Sequence, residues 1–493
     1  MRQALVTAAV VTVVMLAGCR APSVTFPAAL PAEATPAGAA SAYDTDGNGR
    51  ADFVYYPDAN GVVQRIGYDF DGDARADEVI DLSQLHNRHC RHLLIILDGL
   101  SYDLVRQYHE AGGLRIMGPP SKVVSPYPSM TDVSMEDLLN YLPCGGYEAK
   151  YYDRRGGKLV GGAMAYLRGF NQPYGQLLNY RANILWDVLG YIEPRAVFRR
   201  ELNDVKRRFD RGDSQEMLAY IVSSAGMGTR FSAAGQLECL REVERLVNQV
   251  VWQTRGLTRV TIVGDHGHSY TRSTRLELED YLKGLGWRVT EDLKGGGRKE
   301  AMPIRFGLVN YVSLITDRKR ELAVDLAANP AVLVVSYAQD EHVVVLGSDH
   351  QEAIIRRQGD RYAYERTSGD PLGLDTILAT LSADAQGHYD QQDLLEATAD
   401  HQYPDPLRRL WRAHFALVHN PPDVVASLHQ EYYFGLESLA RRVKVASTHG
   451  SLQRCTSLTF AMTNAGPLPP VMRSDQVPQA MGKLFSWPWP TRR

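Results

Sequence analysis

Asp98, Asp265, His266 and His449 are residue types that hold a divalent cation, because carboxylate oxygens and neutral imidazole nitrogens are its usual protein donors. Each sits in a short piece rich in glycine: Asp98-Gly99, Asp265-His266-Gly267 and Thr448-His449-Gly450. A fourth piece, Pro128-Ser129-Met130-Thr131, adds the hydroxyl of Thr131. A threonine hydroxyl stays protonated at neutral pH in water, but beside a cation it ionises and becomes a nucleophile. The chemistry these types suit is metal-assisted attack on an electrophile such as phosphorus. They are scattered from position 98 to position 449, so the fold must assemble them.

Asp98 follows the apolar run 92–97, and Asp265-His266 follows 260–264. Both runs read as buried parallel strands, and ligands in open α/β sheets gather at the carboxyl ends of strands. Thr131 opens the apolar-periodic segment 133–142, so a helix N-terminus aims backbone N–H groups at an anion held there. Around these runs strand and helix patterns alternate: a helix near 101–111, strand 121–125, a helix near 131–142, helical periodicity over 175–190 and 197–209, strand 218–222, a helix near 234–253 and strand 258–264. Such alternation predicts an α/β fold with a mostly parallel central sheet flanked by helices. Between 271 and 384 the pattern changes to short β-branched and aromatic runs at 306–315, 331–337, 341–346, 353–357 and 362–365, which predicts an inserted β-rich cap subdomain. Helices are expected near 371–382, 391–398 and 405–417, and a strand at 443–446 ahead of His449.

With 493 residues and 44% hydrophobic content the chain can bury a large core. Its 54 basic and 57 acidic residues are well mixed, and the formal charge of −3 marks no nucleic-acid surface. Arg2, the apolar run 4–16 and Leu16-Ala17-Gly18-Cys19 resemble a bacterial lipoprotein signal, with cleavage after residue 18 and a lipid on Cys19. That run is too short to span a bilayer, so the expected product is anchored to a membrane of the cell envelope. Arg20 leans the assignment toward an outer membrane. The Ala/Pro-rich stretch 19–41 reads as a tether. Cys90, Cys144, Cys239 and Cys455 lack CxxC spacing; an oxidising compartment allows them up to two disulfides in three pairings, and buried thiols are the alternative.

The segment 42–82 contains a repeat: Asp44, Asp46, Asn48 and Asp52, then Asp69, Asp71, Asp73 and Asp77 at the same spacing. Alternating oxygen side chains on a glycine-turned loop suit calcium, which takes six to eight oxygens. The twelfth positions are Tyr55 and Ile80, which excludes EF-hands and resembles the shorter Asp-rich calcium turns of extracellular repeat modules. Plain turns joining strands, with no metal, are the bland alternative. The expected organisation is a signal peptide 1–18, the tether 19–41, the Asp-rich module 42–82, a core in two parts at 90–270 and 385–470 around the cap 271–384, and a tail 471–493.

Residues 90 to about 465 resemble the alkaline phosphatase superfamily, and within it the branch of type I phosphodiesterases and nucleotide pyrophosphatases. The resemblance is carried by Ile95-Ile96-Leu97-Asp98-Gly99, Tyr127-Pro128-Ser129-Met130-Thr131, Val263-Gly264-Asp265-His266-Gly267 and Ser447-Thr448-His449-Gly450-Ser451, in order and each of the two aspartate motifs after an apolar strand. It implies an alkaline-phosphatase-like fold and a phosphate-ester hydrolase in which Thr131 attacks phosphorus. It further implies that Asp98, Asp265 and His266 bind one metal, zinc being the expected ion, and that His449 completes a second metal site. The sulfatase branch is disfavoured, because Cys144-Gly145-Gly146-Tyr147 does not supply its nucleophile motif.

The chain departs from that pattern after the strand 218–222. Where the branch supplies an Asp and a His to the second metal, this sequence has Ser223-Ser224-Ala225-Gly226-Met227-Gly228-Thr229-Arg230. Three readings follow. The enzyme works with one metal while His449 and Arg230 offer positive or donor groups to phosphoryl oxygens; or a second metal recruits His268, Asp132 or His109; or the chain is an inactive scaffold acting as a calcium-dependent surface binding protein. Nucleotide, lipid head group, polysaccharide phosphate and phosphonate all stay open as substrates.

Overall fold

The computed structural model describes residues 23–490 apart from 60, 184, 185, 187, 188 and 442. The signal peptide 1–18 and Cys19 therefore lie outside the described residues. A seven-stranded sheet runs in the order Val471–Arg473, Ser121–Val124, Leu458–Thr463, Thr258–Gly264, Arg91–Leu97, Glu216–Ile221, Tyr180–Arg181. Four of its six pairings are parallel. Leu93 to Leu97 are wholly buried because helices cover both faces, which is why this strand is an unbroken apolar run. Leu93, Ile95 and Leu97 pack on Tyr102–Glu110, Pro194–Arg211 and Ser223–Gln253, while Leu94 and Ile96 pack on Thr131–Leu139 and Val477–Phe485.

A second sheet of nine strands carries the β-rich part. Its strand Val424–Leu428 lies between Tyr311–Ile315 and Val332–Gln339, so the expected boundary at 384 does not separate a self-contained cap. The helix Pro406–Phe415 covers one face of it through Leu407, Leu410 and Ala413, and Lys319–Ala327 covers the other through Leu322 and Leu326. Among the described residues no helix is long and apolar enough to cross a membrane.

Several local expectations differ from what is found. Over the first part of 175–190 a turn, Pro173–Leu177, and the edge strand Tyr180–Arg181 stand in place of the expected helix, while Trp186 and Leu189 further on are helical. Asn179 causes this: its N–H donates to the Leu218 carbonyl at 2.9 Å and its side chain accepts from the Leu218 N–H at 2.8 Å, which draws the segment onto the sheet. Of 371–382 only Asp375–Leu378 is helical, since the Asp370 carboxylate takes the Gly373 and Asp375 N–H groups. The segment 443–446 forms no strand among the described residues. Cys90, Cys144, Cys239 and Cys455 are free thiols.

The N-terminal strands Ser41–Tyr43, Phe53–Pro57, Val63–Tyr68 and Glu78–Asp81 form an antiparallel sheet docked on the end of Ser223–Gln253. Tyr55 donates to Asn248 Oδ1 at 3.0 Å and Tyr68 to the Trp252 carbonyl at 2.8 Å. Its two Asp loops fold as expected from their repeat: the carboxylates of Asp44, Asp46 and Asp52 converge, as do those of Asp69, Asp71 and Asp77, with ligand atoms within 4.8 Å of one another. From Ser23 onward the expected tether is instead bound to the body. The Ser23 and Val24 N–H groups donate to Asn203 Oδ1 at 2.7 and 2.9 Å, and Thr25 N–H to Gln249 Oε1 at 2.9 Å. Phe26 is 2% exposed among Tyr43, Phe53 and Trp252. Composition reads this stretch as a linker, but one buried aromatic and three main-chain bonds override it. Phe26→Ala is expected to cost about 3–5 kcal/mol of unfolding free energy in denaturant titration; a cost near zero would mean the strap is not seated.

Candidate metal centre and nucleophile

Asp98 follows its strand directly and accepts a 2.5 Å hydrogen bond on Oδ2 from Tyr220, which belongs to the neighbouring strand Glu216–Ile221. Gly99 turns the chain with φ of 69°, and a Cβ there would sit 3.4 Å from His266 Cε1 and 3.5 Å from His268 Nδ1. Asp265 follows Gly264, where any side chain would collide with Thr459. Its Oδ1 accepts from the Gly99 and His266 N–H groups at 2.9 and 2.8 Å, leaving Oδ2 buried with no hydrogen bond among the described residues. These bonds fix each carboxylate by one oxygen and aim the other inward.

His266 completes the set. Its Nδ1 lies 2.9 Å from the Gly267 carbonyl, so the ring proton belongs there and Nε2 offers a lone pair. That Nε2 is 3.4 Å from Asp98 Oδ1, 3.5 Å from Asp265 Oδ2 and 3.3 Å from Thr131 Oγ1. Acceptor lone pairs thus face each other in a closed interior, an arrangement that is unfavourable without positive charge between them. Donors about 2.0–2.1 Å from a tetrahedral zinc are about 3.3–3.4 Å apart, so the observed separations fit such an ion. Burial pushes the Asp265 carboxyl well above the usual carboxylate range and the His266 ring down to about 4. The imidazole is therefore neutral at physiological pH, the form that binds a cation.

Thr131 is the first residue of the helix Thr131–Leu139, and the loop before it is latched to the His449 loop. Ser129 N–H donates to the Gly450 carbonyl at 3.2 Å, and His449 Nδ1 lies 3.1 Å from the Ser129 carbonyl. Beneath both loops Arg409, 2% exposed, donates to the Pro126 carbonyl, Ser129 Oγ and Ser457 Oγ at 3.2, 3.1 and 2.7 Å. His449 stacks on His266 with centroids 4.0 Å apart. Burial, then the neighbouring His266, holds its pKa well below the ordinary histidine value. Its ring is thereby neutral, and with Nδ1 on the Ser129 carbonyl its Nε2 is left as an acceptor.

The other expected residues divide. His268 is wholly buried beside His449, centroids 5.8 Å apart, and its ring nitrogens make no hydrogen bond among the described residues; only the Ser447 main chain comes near, outside hydrogen-bond geometry. Asp132 is turned away from the centre: Asn171, Gln172 and Tyr174 donate to it at 2.9, 3.0 and 3.0 Å. His109 closes the end of Tyr102–Glu110 on the Gly113 carbonyl at 3.2 Å. Neither joins the cluster. Arg230 makes no hydrogen bond or ion pair among the described residues, although the adjoining Gly228 and Thr229 carbonyls are bonded to Ser447 and Ala446.

The divergent stretch 223–230 is helical and structural. Ser224 Oγ donates toward the Asp98 and Ile221 carbonyls, both at 2.9 Å, and Ala225 is wholly buried against the Asp98-Gly99 turn. This helix breaks at Ser232, with φ of 56°, before running on to Gln253. Sequence reasoning missed Tyr220, Gln236, Tyr270 and Arg409. Gln236 donates to the Gly99 carbonyl at 2.5 Å and accepts from Tyr270 at 2.5 Å, so it props the metal-side turn. A signal existed only for Tyr220 and Arg409, polar residues at core positions of apolar-periodic segments.

Known structures of similar shape accompany this geometry. One is murine ectonucleotide pyrophosphatase/phosphodiesterase 5, at 10% identity and a TM-score of 0.43 over 82% of this chain and 97% of that one. Another is phosphonoacetate hydrolase from Sinorhizobium meliloti 1021 in complex with phosphonoformate, at 13% identity and 0.42 over 81% and 95%. Human ectonucleotide pyrophosphatase/phosphodiesterase 5 gives 10% and 0.42 over 80% and 95%. No family model and no curated protein matches the sequence.

The helix that carries Thr131 also buries carboxyls. Burial pushes Glu136 of this helix up to about 8, and Glu148, further along the chain, up to about 7. Folded Glu136 keeps its proton to higher pH than the unfolded group at 4.5, so the folded state binds more protons and stability falls as pH rises between those values. The midpoint of thermal unfolding is expected to drop over that interval. Glu136→Gln, which keeps an acceptor for the Cys144 N–H at 2.8 Å, is expected to flatten the upper part of the slope; an unchanged slope would clear Glu136 of the effect.

Proposed function

We propose that this chain is a metal-dependent hydrolase of phosphate esters with Thr131 as its nucleophile. The observation that supports it best is the convergence of Asp98 Oδ1, Asp265 Oδ2 and His266 Nε2, with the Thr131 hydroxyl 3.3 Å from that same nitrogen. A single divalent cation, zinc by the donor set, would be held by these three side chains and would supply the charge that lets the hydroxyl ionise near neutral pH. Thr131 Oγ1 forms a bond to phosphorus as the ester oxygen departs, and water then cleaves the phosphothreonine. The free N–H groups at the start of Thr131–Leu139 favour the negative phosphoryl oxygens. His449 presents Nε2 as an acceptor, because its Nδ1 is engaged by Ser129.

On this reading the mature chain starts at Cys19 and is held by lipid to a membrane of the cell envelope, the outer one by the character of Arg20. Purified protein is expected to contain about one transition metal per chain, lost in Asp98→Asn. Thr131→Ala is expected to keep the metal and lower the hydrolysis of generic phosphate mono- and diesters at least about a hundredfold. Activity that survives Thr131→Ala would overturn the mechanism, two metals would bring His268 and His449 in as ligands, and none would favour an inactive binding scaffold.

Calcium in the two Asp loops is a separate proposal, supported by the converging carboxylates. Saturating calcium is expected to raise the unfolding temperature, about 2.7 kcal/mol at a hundred times the dissociation constant. The double variant Asp46→Ala/Asp71→Ala should lose that rise; a rise that persists would place the ion elsewhere.

A further inference from the structure

Beside the helix Pro194–Arg211 a cleft of about 320 Å³ opens against the edge strand Tyr180–Arg181. Arg181, Arg200, Arg207, Arg208 and Arg211 line it. Two carboxylates answer them. Glu201 is buried and accepts from the Ser223 N–H at 3.1 Å, while Asp204 is shared by Arg200 at 3.6 Å and Arg207 at 2.5 Å. Among the described residues five positive groups face two negative ones; Arg181 is also engaged by Gln172 Oε1 at 2.5 Å, and Arg211 has no ion pair among them. Trp186 stacks under Arg200 at 3.9 Å, and Arg208 lies over Tyr180 at 5.5 Å while bonding the Asn179 carbonyl at 2.7 Å. Arginine interleaved with tryptophan and tyrosine is the composition that meets the head-group layer of a bilayer.

The same helix holds the start of the described chain. Asn203 binds the Ser23 and Val24 N–H groups, and Arg207 Nη1 donates to Ser23 Oγ at 3.2 Å. Cys19 lies four positions before Ser23, and four residues reach at most about 14 Å when fully extended. Were 19–41 a free tether, the body could stand far from the bilayer. Because it is bound from Ser23 on, a lipid at Cys19 would enter the membrane within about 14 Å of Ser23, which Arg207 at the edge of the cleft contacts, a span comparable to the Debye length of about 8–10 Å at moderate salt.

We propose that this face of Pro194–Arg211 is a membrane-contact surface that binds the anionic phosphodiester head groups of the bilayer holding Cys19. It rests on the reading of Cys19 as the anchor and is independent of the hydrolase chemistry. Lipid and basic patch then act as two signals in one place, fixing the orientation of the body as well as its attachment.

The test uses the full mature chain, 19–493, carrying Cys19→Ser so that no acyl group contributes. Sedimentation with phosphatidylglycerol-containing vesicles is expected to exceed that with phosphatidylcholine alone by at least about tenfold at low salt, and to weaken as salt rises. Arg200→Glu/Arg208→Glu/Arg211→Glu should remove the preference. The same charge change on the second sheet, Arg356→Glu/Arg361→Glu/Arg366→Glu, should keep it. If the first triple variant fails to fold, Arg211→Glu alone, exposed and without an ion pair among the described residues, should lower the preference several-fold. Equal binding to both vesicles, a preference that survives the cleft reversal, or one lost equally in the control would overturn the proposal. So would release by inorganic phosphate at a concentration where chloride of equal ionic strength has no effect, which would assign the cleft to a small anion. Lipidation is read separately, from the mass of the N-terminal peptide of the exported protein, so an unmodified Cys19 would remove the anchor without altering the vesicle result.

Discussion

Two carboxylates and an imidazole lone pair directed at one another inside a protein are tolerated only while something holds them there, and most of the polar contacts near the centre serve that restraint. Asp98 is fixed by Tyr220, Asp265 by two N–H groups, and His266 by the carbonyl of the next residue. Each contact occupies one side of a donor and leaves the other pointing inward. A charged hydrogen bond contributes about 1.5–3 kcal/mol, whereas an uncompensated buried charge costs several, so the arrangement is stable only with a cation or with protons. The rise in the Asp265 pKa is the protonic side of that balance.

The second half of the molecule reaches the centre at several points: Asn310 N–H donates to the His449 carbonyl at 2.9 Å, Arg412 pairs with Asp137 at 2.7 Å, and Arg409 enters most deeply. Arg409 belongs to the helix that covers the nine-stranded sheet, yet its guanidinium ends among the loops that carry Ser129 and Ser457. Its acceptors there are neutral carbonyls and hydroxyls, and burial lowers its pKa to about 10. The Asp405 carboxylate, which favours its charge, is instead bound to Arg473. The helix over the second sheet is thereby joined to the loop before Thr131 and to the latch between Ser129 and His449.

What the sequence made legible was what depends on local pattern. Asp98 and Asp265-His266 could be placed because an apolar run followed by a ligand type has one reading in a sheet buried on both faces. Thr131 could be placed because it opens a periodic segment. His268 could not, since its burial beside His449 follows from how two distant loops pack. Stretch 223–230 was read as lacking the family's ligands, and a helix was expected only from about 234; that it is already helical, with Ser224 on the Asp98 carbonyl, was not legible. Composition misjudged the stretch from Ser23 on, because a single aromatic decides docking and averages conceal it. The first part of the 175–190 helix gave way for a similar reason, one Asn179 pairing with Leu218 outweighing periodicity.

The strap and the N-terminal sheet close against partners far along the chain: Ser23 meets Asn203 at a separation of 180 residues and Thr25 meets Gln249 at 224. Contacts of such long range form late, because the intervening loop must be ordered first. The earliest part of the chain therefore has nothing to fold onto until about half of the sequence has emerged. For the export proposed above, in which a chain threads a membrane before it folds, this delay is built into the order of its own residues.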